Sequence, residues 1–220
     1  MALAKNSILR VSVSPWWILK KHSEVTGFVL AGGKSSRMGT DKALLFLNGV
    51  SLLQQTRTIL EQVCEKVFIL GSRQLYGAYG ECYEDLYANC GPLSGIHAAL
   101  LNSSTPYSLV TAVDTPFVSA EFFSYMIGRA LDASAIVTAP RIGGVVQPAC
   151  AVFSRAFLPI AEAALKSGKY KVEPTFPPER TLLISEAELA RFAKAADMFE
   201  NLNTPEDFER ARKRFSGQQL

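Results

Sequence analysis

The sequence predicts an α/β domain with a mostly parallel, twisted sheet. Short apolar runs that end in Gly, Asp or Pro alternate with segments whose apolar residues recur at helical spacing. Strands and helices alternate along most of the chain, which favours parallel strands joined by crossover helices. Helices on both faces of such a sheet make a Rossmann-like three-layer sandwich, and ligands then bind at the carboxyl ends of the strands.

The first predicted elements lie in residues 25–72. Residues 25–33 are an apolar run that ends in glycines, as expected of a buried parallel strand. Asn48-Gly49 predicts a turn, and Ser51 is the expected N-cap of the helix that follows it. Residues 66–72 predict a second buried strand, which Gly71 ends.

The next elements repeat this alternation. A helix is expected after Gly91, followed by a third buried strand with Asp114 near its end. Residues 120–131 predict a helix and residues 134–140 a fourth strand. The strand ends therefore place Asp114 at the same edge of the sheet as the glycines that follow the first strand.

The last third of the chain is less regular. A strand or hairpin is expected near residues 143–155, then a helix ended by Gly168, and finally a helix with Thr204 as N-cap. We interpret residues 25–212 as a single domain with a small C-terminal region. Residues 213–220 are then a tail.

Residues 1–24 are interpreted as a loosely ordered N-terminal extension. They have neither the continuous apolar core nor the small-residue cleavage site of a secretory signal. The alternative is a segment that docks on an interface or a partner through Trp16 and Trp17.

Composition excludes several classes of protein. Lys and Arg number 23 against 20 Asp and Glu, a balance too even to indicate nucleic-acid binding. The apolar runs are shorter than the roughly 18–20 residues of a membrane helix. The four cysteines form no C-x-x-C pair, which argues against a zinc site and for reduced thiols in the cytoplasm.

The stretch "LAGGKSSRMGTDKALL" at residues 30–45 contains a misleading phosphate motif. A Walker loop needs glycine five positions before Gly33, and that position is Phe28. A G-x-G-x-x-G motif also fails, because Gly32 and Gly33 are adjacent. Gly33-Lys34-Ser35 is therefore not evidence for either loop.

The same stretch has the residues of a different nucleotide site. Adjacent glycines let a base or a phosphate lie directly on the backbone. Arg37 can donate two hydrogen bonds to phosphate oxygens, and Lys42 adds a point charge. Asp114 is the candidate Mg²⁺ ligand, since Mg²⁺ takes one or two protein carboxylates and completes its shell with water and phosphate oxygens. A basic turn beside a structural Asp is the simpler explanation of the same residues.

The stretch resembles the signature of the molybdenum cofactor guanylyltransferases, in the nucleotidyltransferase superfamily. The segments "GPLSGIHAAL", "AVDTPFVS", "QPACAVF" and "FENLNTPEDF" continue the resemblance in the order of that family, over about residues 25–212. The resemblance implies a Mg²⁺-dependent enzyme, with Mn²⁺ as the other cation. It implies that GMP passes from GTP to the phosphate of Mo-molybdopterin, with release of pyrophosphate.

The resemblance also assigns roles to individual residues. The nucleotide-binding residues it implies are Leu30, Ala31, Gly32, Gly33, Gly71, Asp85, Gly91 and Gly95. Arg37 and Lys42 are expected to bind the phosphates and Asp114 the Mg²⁺, and these three are the expected catalytic residues. The pterin side is assigned to Gln147, Pro148, residues 168–171, Asn201 and Asn203. Some family members have an Asn near the end of the second strand, where this chain reads "FILGSR". The expected nucleotide contact is therefore assigned to the backbone at Gly71.

Two alternatives stay open at this stage. A cytidylyltransferase acting on molybdopterin or another phosphorylated small molecule would use CTP. A non-catalytic nucleotide or cofactor carrier would bind nucleotide without releasing pyrophosphate. The resemblance implies small-molecule substrates and transient contacts with proteins that deliver molybdopterin or receive the cofactor, and it implies neither nucleic acid nor a membrane.

Overall fold

The described part of the protein is an α/β domain built on a mostly parallel sheet. The structure, a computed structural model, describes residues 19–32, 41–192 and 197–215. Its strands are β1 (Val25–Leu30), β2 (Phe46–Leu47), β3 (Val50–Ser51), β4 (Val67–Leu70), β5 (Cys82–Tyr83), β6 (Tyr107–Ala112), β7 (Val137–Ile142), β8 (Val145–Val146), β9 (Cys150–Ser154) and β10 (Thr181–Ile184). Its α-helices are α1 (Leu52–Leu60), α2 (Arg73–Tyr76), α3 (Pro92–Asn102), α4 (Ala120–Ala133), α5 (Leu158–Lys166), α6 (Glu186–Leu189) and α7 (Pro205–Phe215).

The main sheet has the strand order β10-β7-β9-β6-β1-β4-β5, with β8 paired to β7. The pairs of β1 with β4, β1 with β6, β4 with β5 and β7 with β10 are parallel. Strand β9 runs antiparallel to both β6 and β7. The prediction of a mostly parallel sheet is therefore confirmed.

Helices cover both faces of this sheet, which confirms the three-layer arrangement. Successive residues of a strand point to opposite faces, and Val29 lies in one core cluster while Phe28 lies in the other. The Val29 cluster contains the buried side chains of α1 and α4, and the Phe28 cluster contains those of α3 and α5. Within the described ranges, no helix is both long enough and apolar enough to cross a membrane.

Local sequence signals account for several element boundaries. The Ser51 hydroxyl accepts a hydrogen bond from Gln54 N, as expected of an N-cap. Asn48 and Gly49 both have positive φ, as the two-residue turn between β2 and β3 requires. Helix α4 runs to Ala133 and ends at Ser134 in the left-handed region, so the fourth strand begins three residues later than the predicted 134–140.

Some elements were not predicted at all. Helix α2 and strand β5 lie between β4 and α3, and β10 and α6 lie between α5 and α7. Each is four residues or fewer, so none has enough residues to show a periodicity.

Residues just before β1 already contact the domain. His22 N donates to the carbonyl oxygen of Val63 at 2.8 Å, and His22 pairs with Cys64 in an isolated parallel bridge. The His22 ring also lies 3.2 Å from the Ser124 hydroxyl. Trp16 and Trp17 lie outside the described residues.

The C-terminal segment returns to the carboxyl edge of the sheet. Met198 and Leu202 are buried, and Leu202 N donates to the carbonyl oxygen of Asp114 at 2.9 Å. Helix α7 then begins at Pro205, and the Thr204 hydroxyl accepts from Asp207 N at 3.1 Å, the predicted N-cap bond. Residues 201–203 are thereby held beside the end of β6.

Phe122 tests the packing that holds this C-terminal region on α4. Its side chain is fully buried and makes edge contacts with the rings of Phe192 and Phe199 at 5.4 and 5.6 Å. Phe122→Ala should lower the free energy of unfolding by about 3–5 kcal/mol, because it removes a large buried ring and leaves a cavity. Urea denaturation measures the change.

Leu101→Ala is the control for this prediction, because Leu101 is 45% exposed at the end of α3. It should change stability by only about 0.5 kcal/mol. Equal losses in the two variants would contradict the packing described for Phe122.

Candidate functional site

Three neighbouring parallel strands end together and create the candidate site. In the paired register, Leu30 at the end of β1 is opposite Leu70 of β4 and Ala112 of β6. The chain leaves the sheet at this edge in all three places, so Gly32, Gly71 and Asp114 follow directly. This confirms the predicted convergence of strand ends.

The backbone after β1 packs directly on the backbone after β4. Ala31 N and Gly32 N both donate to the carbonyl oxygen of Leu70, at 3.0 and 3.1 Å. Gly71 has φ +149, and a Cβ at this position would lie 2.7 Å from Cε2 of Tyr76 and 3.1 Å from Gly32 N. A side chain at Gly71 therefore has neither the backbone conformation nor the space that it needs.

Lys42 and Asp114 are brought together although they are far apart in the sequence. Lys42 follows directly after Asp41, the N-cap of a 3₁₀ turn over Lys42–Leu44. Its Nζ lies 3.4 Å from Oδ2 of Asp114 and donates to Oδ1 of Asn203 at 3.0 Å. The Lys42 side chain is 14% exposed and that of Asp114 is 31% exposed, so the ion pair is partly buried but open to solvent.

The residues assigned to the nucleoside lie next to the end of β1. Gly91 has φ +70 and is the N-cap of α3, with Pro92 as the first helical residue. A Cβ on Gly95 would lie 2.4 Å from Cδ2 of Leu30 and 3.8 Å from Oδ1 of Asp85. The side chain of Leu30 therefore packs directly on Gly95, and a larger residue at this position would displace it.

The Asp85 carboxyl group has a perturbed pKa. Desolvation raises it above its usual value, and hydrogen bonding to Ser94 and the charge of His97 act in the opposite direction. His97 is buried on α3, with its ring centroid 5.2 Å from that of Tyr87.

Gln147 and Pro148 lie in the turn between β8 and β9. Gln147 N donates to the carbonyl oxygen of Pro140, and the Gln147 carbonyl accepts from Cys150 N. The carbonyl oxygen of Ala149, the residue after Pro148, accepts a hydrogen bond from Ala112 N at 2.9 Å. This turn therefore lies beside the end of β6, two residues before Asp114. Of the predicted pterin-side residues, Gln147 and Pro148 therefore lie near the same edge as Lys42.

Two of the predicted residues, Gly33 and Arg37, lie outside the described residues, and two others take no part in the contacts given above. Asn201 is exposed and follows Glu200 in the segment that leads to Asn203. Gly168 lies just after α5 and has φ +74, and Lys169 N donates to the carbonyl oxygen of Ala164.

Sequence reasoning missed the contacts of Tyr76 and Asp41. Tyr76 is 3% exposed, and its hydroxyl lies 2.7 Å from Oδ2 of Asp41 and 3.1 Å from the carbonyl oxygen of Ala31. The only signal in the sequence was the position of Tyr76 shortly after the second strand. That position gives no indication of a partner so distant along the chain.

The comparisons with known proteins agree with this geometry. A family model described as "MobA-like NTP transferase domain" matches residues 27–175. The chain belongs to this family. It is thus a nucleotidyltransferase-family protein, and the ends of β1, β4 and β6 lie within the residues that the family model matches.

Named relatives cover nearly the whole MobA-like chain. A "Probable molybdenum cofactor guanylyltransferase" of Pelotomaculum thermopropionicum is 37% identical over 191 residues, covering 86% of this chain and 92% of the relative. A "Molybdenum cofactor guanylyltransferase" of Desulfosudis oleivorans is 32% identical over 190 residues, covering 85% and 94%. The crystal structure of "Molybdopterin-guanine dinucleotide biosynthesis protein A" from Archaeoglobus fulgidus has a TM-score of 0.75, with 25% identity and coverage of 87% and 99%.

The donor set of the MobA-like site suits a hard cation with few protein ligands. In residues 19–32, 41–192 and 197–215, no group of three or more His, Cys, Asp and Glu side chains could hold a metal. Asp114 supplies one carboxylate at an open edge. This fits Mg²⁺, which keeps several waters and binds phosphate oxygens together with one or two carboxylates.

Gly71→Ala should destabilise the protein by about 1–3 kcal/mol, because the new Cβ forces a strained backbone against Tyr76 and Gly32. Chemical denaturation measures this loss.

Gly128→Ala is the matched control, since Gly128 lies inside α4 and a Cβ there meets no atom within 4 Å. This second variant should gain about 0.4–1 kcal/mol from lower unfolded-state entropy. A Gly71→Ala protein as stable as the wild type would contradict the close approach of the two glycine segments.

Proposed function

We propose that the chain transfers GMP from GTP to the terminal phosphate of Mo-molybdopterin, forming the guanine dinucleotide form of the cofactor and pyrophosphate. The observation that carries the proposal is the Lys42–Asp114 pair at the shared end of β1, β4 and β6. The ammonium group of Lys42 supports binding of the nucleotide phosphates, and the carboxylate of Asp114 supports binding of the divalent cation that neutralises them. The names of the relatives support guanine as the base and the molybdenum cofactor as the acceptor.

The nucleotide is expected to bind along the end of β1. Gly32 is exposed at the end of β1 and has no side chain, which supports close approach of a planar base or a phosphate to the backbone that follows Leu30 and Ala31. The Asp85 carboxyl is the expected acceptor of hydrogen bonds from the nucleoside, and its Oδ1 lies 3.8 Å from the position of a Cβ on Gly95. Gly91 turns the chain into α3 at this place, and Gly33 continues the glycine segment in the sequence.

Lys42 is expected to neutralise the phosphates of the nucleotide. Its ammonium group already lies at the carboxyl edge, held by Asp114 and Asn203. As a phosphate oxygen of Mo-molybdopterin attacks the α-phosphorus of GTP, a new P–O bond forms and the bond to the β-phosphate oxygen breaks. Negative charge increases on the departing pyrophosphate, and Lys42 together with Arg37 stabilises it.

Asp114 is the residue expected to hold the divalent cation, Mg²⁺ or Mn²⁺. When bound, the cation supplies Lewis-acid stabilisation of the phosphate oxygens. The reaction needs no protein nucleophile, because the acceptor phosphate itself attacks. The role of the protein is to align the two substrates and to neutralise their charges.

The pterin is expected to lie on the β6–β9 side of Lys42. Gln147 and Pro148 lie in the β8–β9 turn, where Ala149 accepts a hydrogen bond from Ala112 N at the end of β6, and Asn203 accepts one from Lys42. Asn201 and residues 168–171 are assigned to the same side. Delivery or transfer of the pterin then involves transient contact with other proteins.

A cytoplasmic location is part of this proposal. Cys64, Cys82, Cys90 and Cys150 are all free thiols, which suits a reducing compartment.

Asp114→Asn tests the proposed role of this carboxylate. The variant should lower Mg²⁺-dependent release of pyrophosphate from GTP by about 10²–10³-fold, since it removes the anionic ligand of the cation and keeps the shape of the side chain. Pyrophosphate release is measured with Mo-molybdopterin present. Asp132→Asn, an exposed residue of α4, is the control and should retain the wild-type rate.

Parallel assays with GTP and CTP separate the alternatives. The proposal expects turnover with GTP and little with CTP, whereas preference for CTP would identify a cytidylyltransferase. Tight nucleotide binding without any pyrophosphate would indicate a carrier. A wild-type rate in Asp114→Asn would contradict the metal assignment.

A further inference from the structure

Tyr76 connects the two chain segments that carry the glycine backbone and Lys42. Its hydroxyl lies 3.1 Å from the carbonyl oxygen of Ala31, just before Gly32. The same hydroxyl lies 2.7 Å from Oδ2 of Asp41, just before Lys42. Tyr76 itself belongs to α2, which follows β4. The hydroxyl has one proton, which the shorter distance assigns to Asp41, and the buried side chain thus lies between the ends of two strands and the turn that carries Lys42.

Asp41 uses both carboxylate oxygens in this arrangement. Oδ2 faces the Tyr76 hydroxyl, and Oδ1 accepts from Ala43 N at 3.0 Å. The second bond is the N-cap of the 3₁₀ turn over Lys42–Leu44. A carboxylate fixed at both oxygens sets the backbone direction of the next residue, and Lys42 then reaches Asp114 and Asn203.

The chemistry of Tyr76 favours a lasting hydrogen bond. Burial and, next, the bond to Asp41 raise the pKa of the phenol, so the hydroxyl keeps its proton at neutral pH. A neutral donor to a carboxylate in a partly buried place makes a charge-assisted bond, which is stronger than a bond between neutral groups. The ring also packs on Gly71, where a Cβ would lie 2.7 Å from Cε2.

We propose that Tyr76, acting through Asp41, is a positioning residue that holds Lys42 at the carboxyl edge of the sheet. Its effect on turnover rests on the proposed guanylyl transfer, but its effect on Lys42 does not. Simple core packing is the competing explanation, and it assigns the role to the ring rather than to the hydroxyl. The two explanations differ in what removal of the hydroxyl alone should do.

Tyr76→Phe keeps the ring and removes the hydroxyl. We expect kcat/KM for GTP to fall roughly tenfold, mainly through kcat, because the loss of a hydrogen bond to a charged group leaves Lys42 less well placed. Pyrophosphate release gives kcat and KM separately. A packing role predicts wild-type kcat and KM in the folded variant, and that result would overturn the proposal.

Tyr125→Phe is the matched control. The Tyr125 hydroxyl donates to Oε1 of Glu188 at 2.7 Å, the same kind of bond and the same length as in the pair of Tyr76 with Asp41. It lies between α4 and α6 in another part of the fold. This variant should keep the wild-type kcat/KM within about twofold, although its hydroxyl loses a bond to Glu188 and one from Arg129. A tenfold loss in this control as well would overturn the specific role of Tyr76.

The reactivity of Lys42 gives a measurement without turnover. Acetic anhydride modifies exposed amines, and mass spectrometry follows each lysine in the nucleotide-free protein. The Lys42 side chain is 14% exposed, and the 63% exposed Lys166 is an internal reference. Tyr76→Phe should make Lys42 react several-fold faster relative to Lys166, and Tyr125→Phe should not. An unchanged Lys42 in Tyr76→Phe would overturn the proposal even if GTP proves not to be the substrate.

Asp41→Asn keeps the proposal testable if Tyr76→Phe folds poorly. It weakens the same contact from the other side and should also lower kcat/KM and raise the reactivity of Lys42. Where all variants fold, the double variant should cost no more than the larger single loss, because both changes act on one contact. Additive losses would show that Tyr76 does not act through Asp41.

Discussion

Parallel pairing of β1 with β4 and β6 is the constraint on which the rest of this site depends. Parallel neighbours end at the same edge, so three separate chain segments leave the sheet within a small region. Gly32, Gly71 and Asp114 follow those ends, and their closeness needs no long-range sequence signal. The helices on both faces hold the sheet in this register by burying its alternating apolar residues.

Charge balance at this edge follows from the same geometry. Lys42 and Asp114 are partly buried, and a lone charge in this place would be costly to desolvate. Each residue neutralises the charge of the other. Asn203 adds a neutral acceptor from a segment that lies beyond the residues 27–175 matched by the family model. The C-terminal segment therefore adds a contact to Lys42 that the parallel strands alone do not supply. In the proposed reaction, phosphate oxygens and a divalent cation become the partners of these two charges.

Local signals predicted the longer elements and failed for the short ones. Ser51 and Thr204 cap their helices as expected, because an N-cap depends only on residues within the next turn. Strand β5 has two residues and β10 has four, and both lie at edges of the sheet. Their strand conformation comes from pairing with Ile69 and Leu70 or with β7, which no local pattern encodes. The predicted start of the fourth strand was three residues too early. Ser134 ends α4 in a left-handed conformation, which Gly or Asn usually adopts.

The sequence by itself determined the α/β class, the strand ends that carry the glycines and Asp114, and the resemblance that the family match confirms. These depend on apolar periodicity, on residue type and on motifs, all of which are local properties of the chain. Only the tertiary structure decided that Asn203 contacts Lys42 and that Tyr76 joins Ala31 to Asp41. Side-chain hydrogen bonds of this kind need atoms within about 3 Å. Packing, and not sequence spacing, brings such distant residues that close.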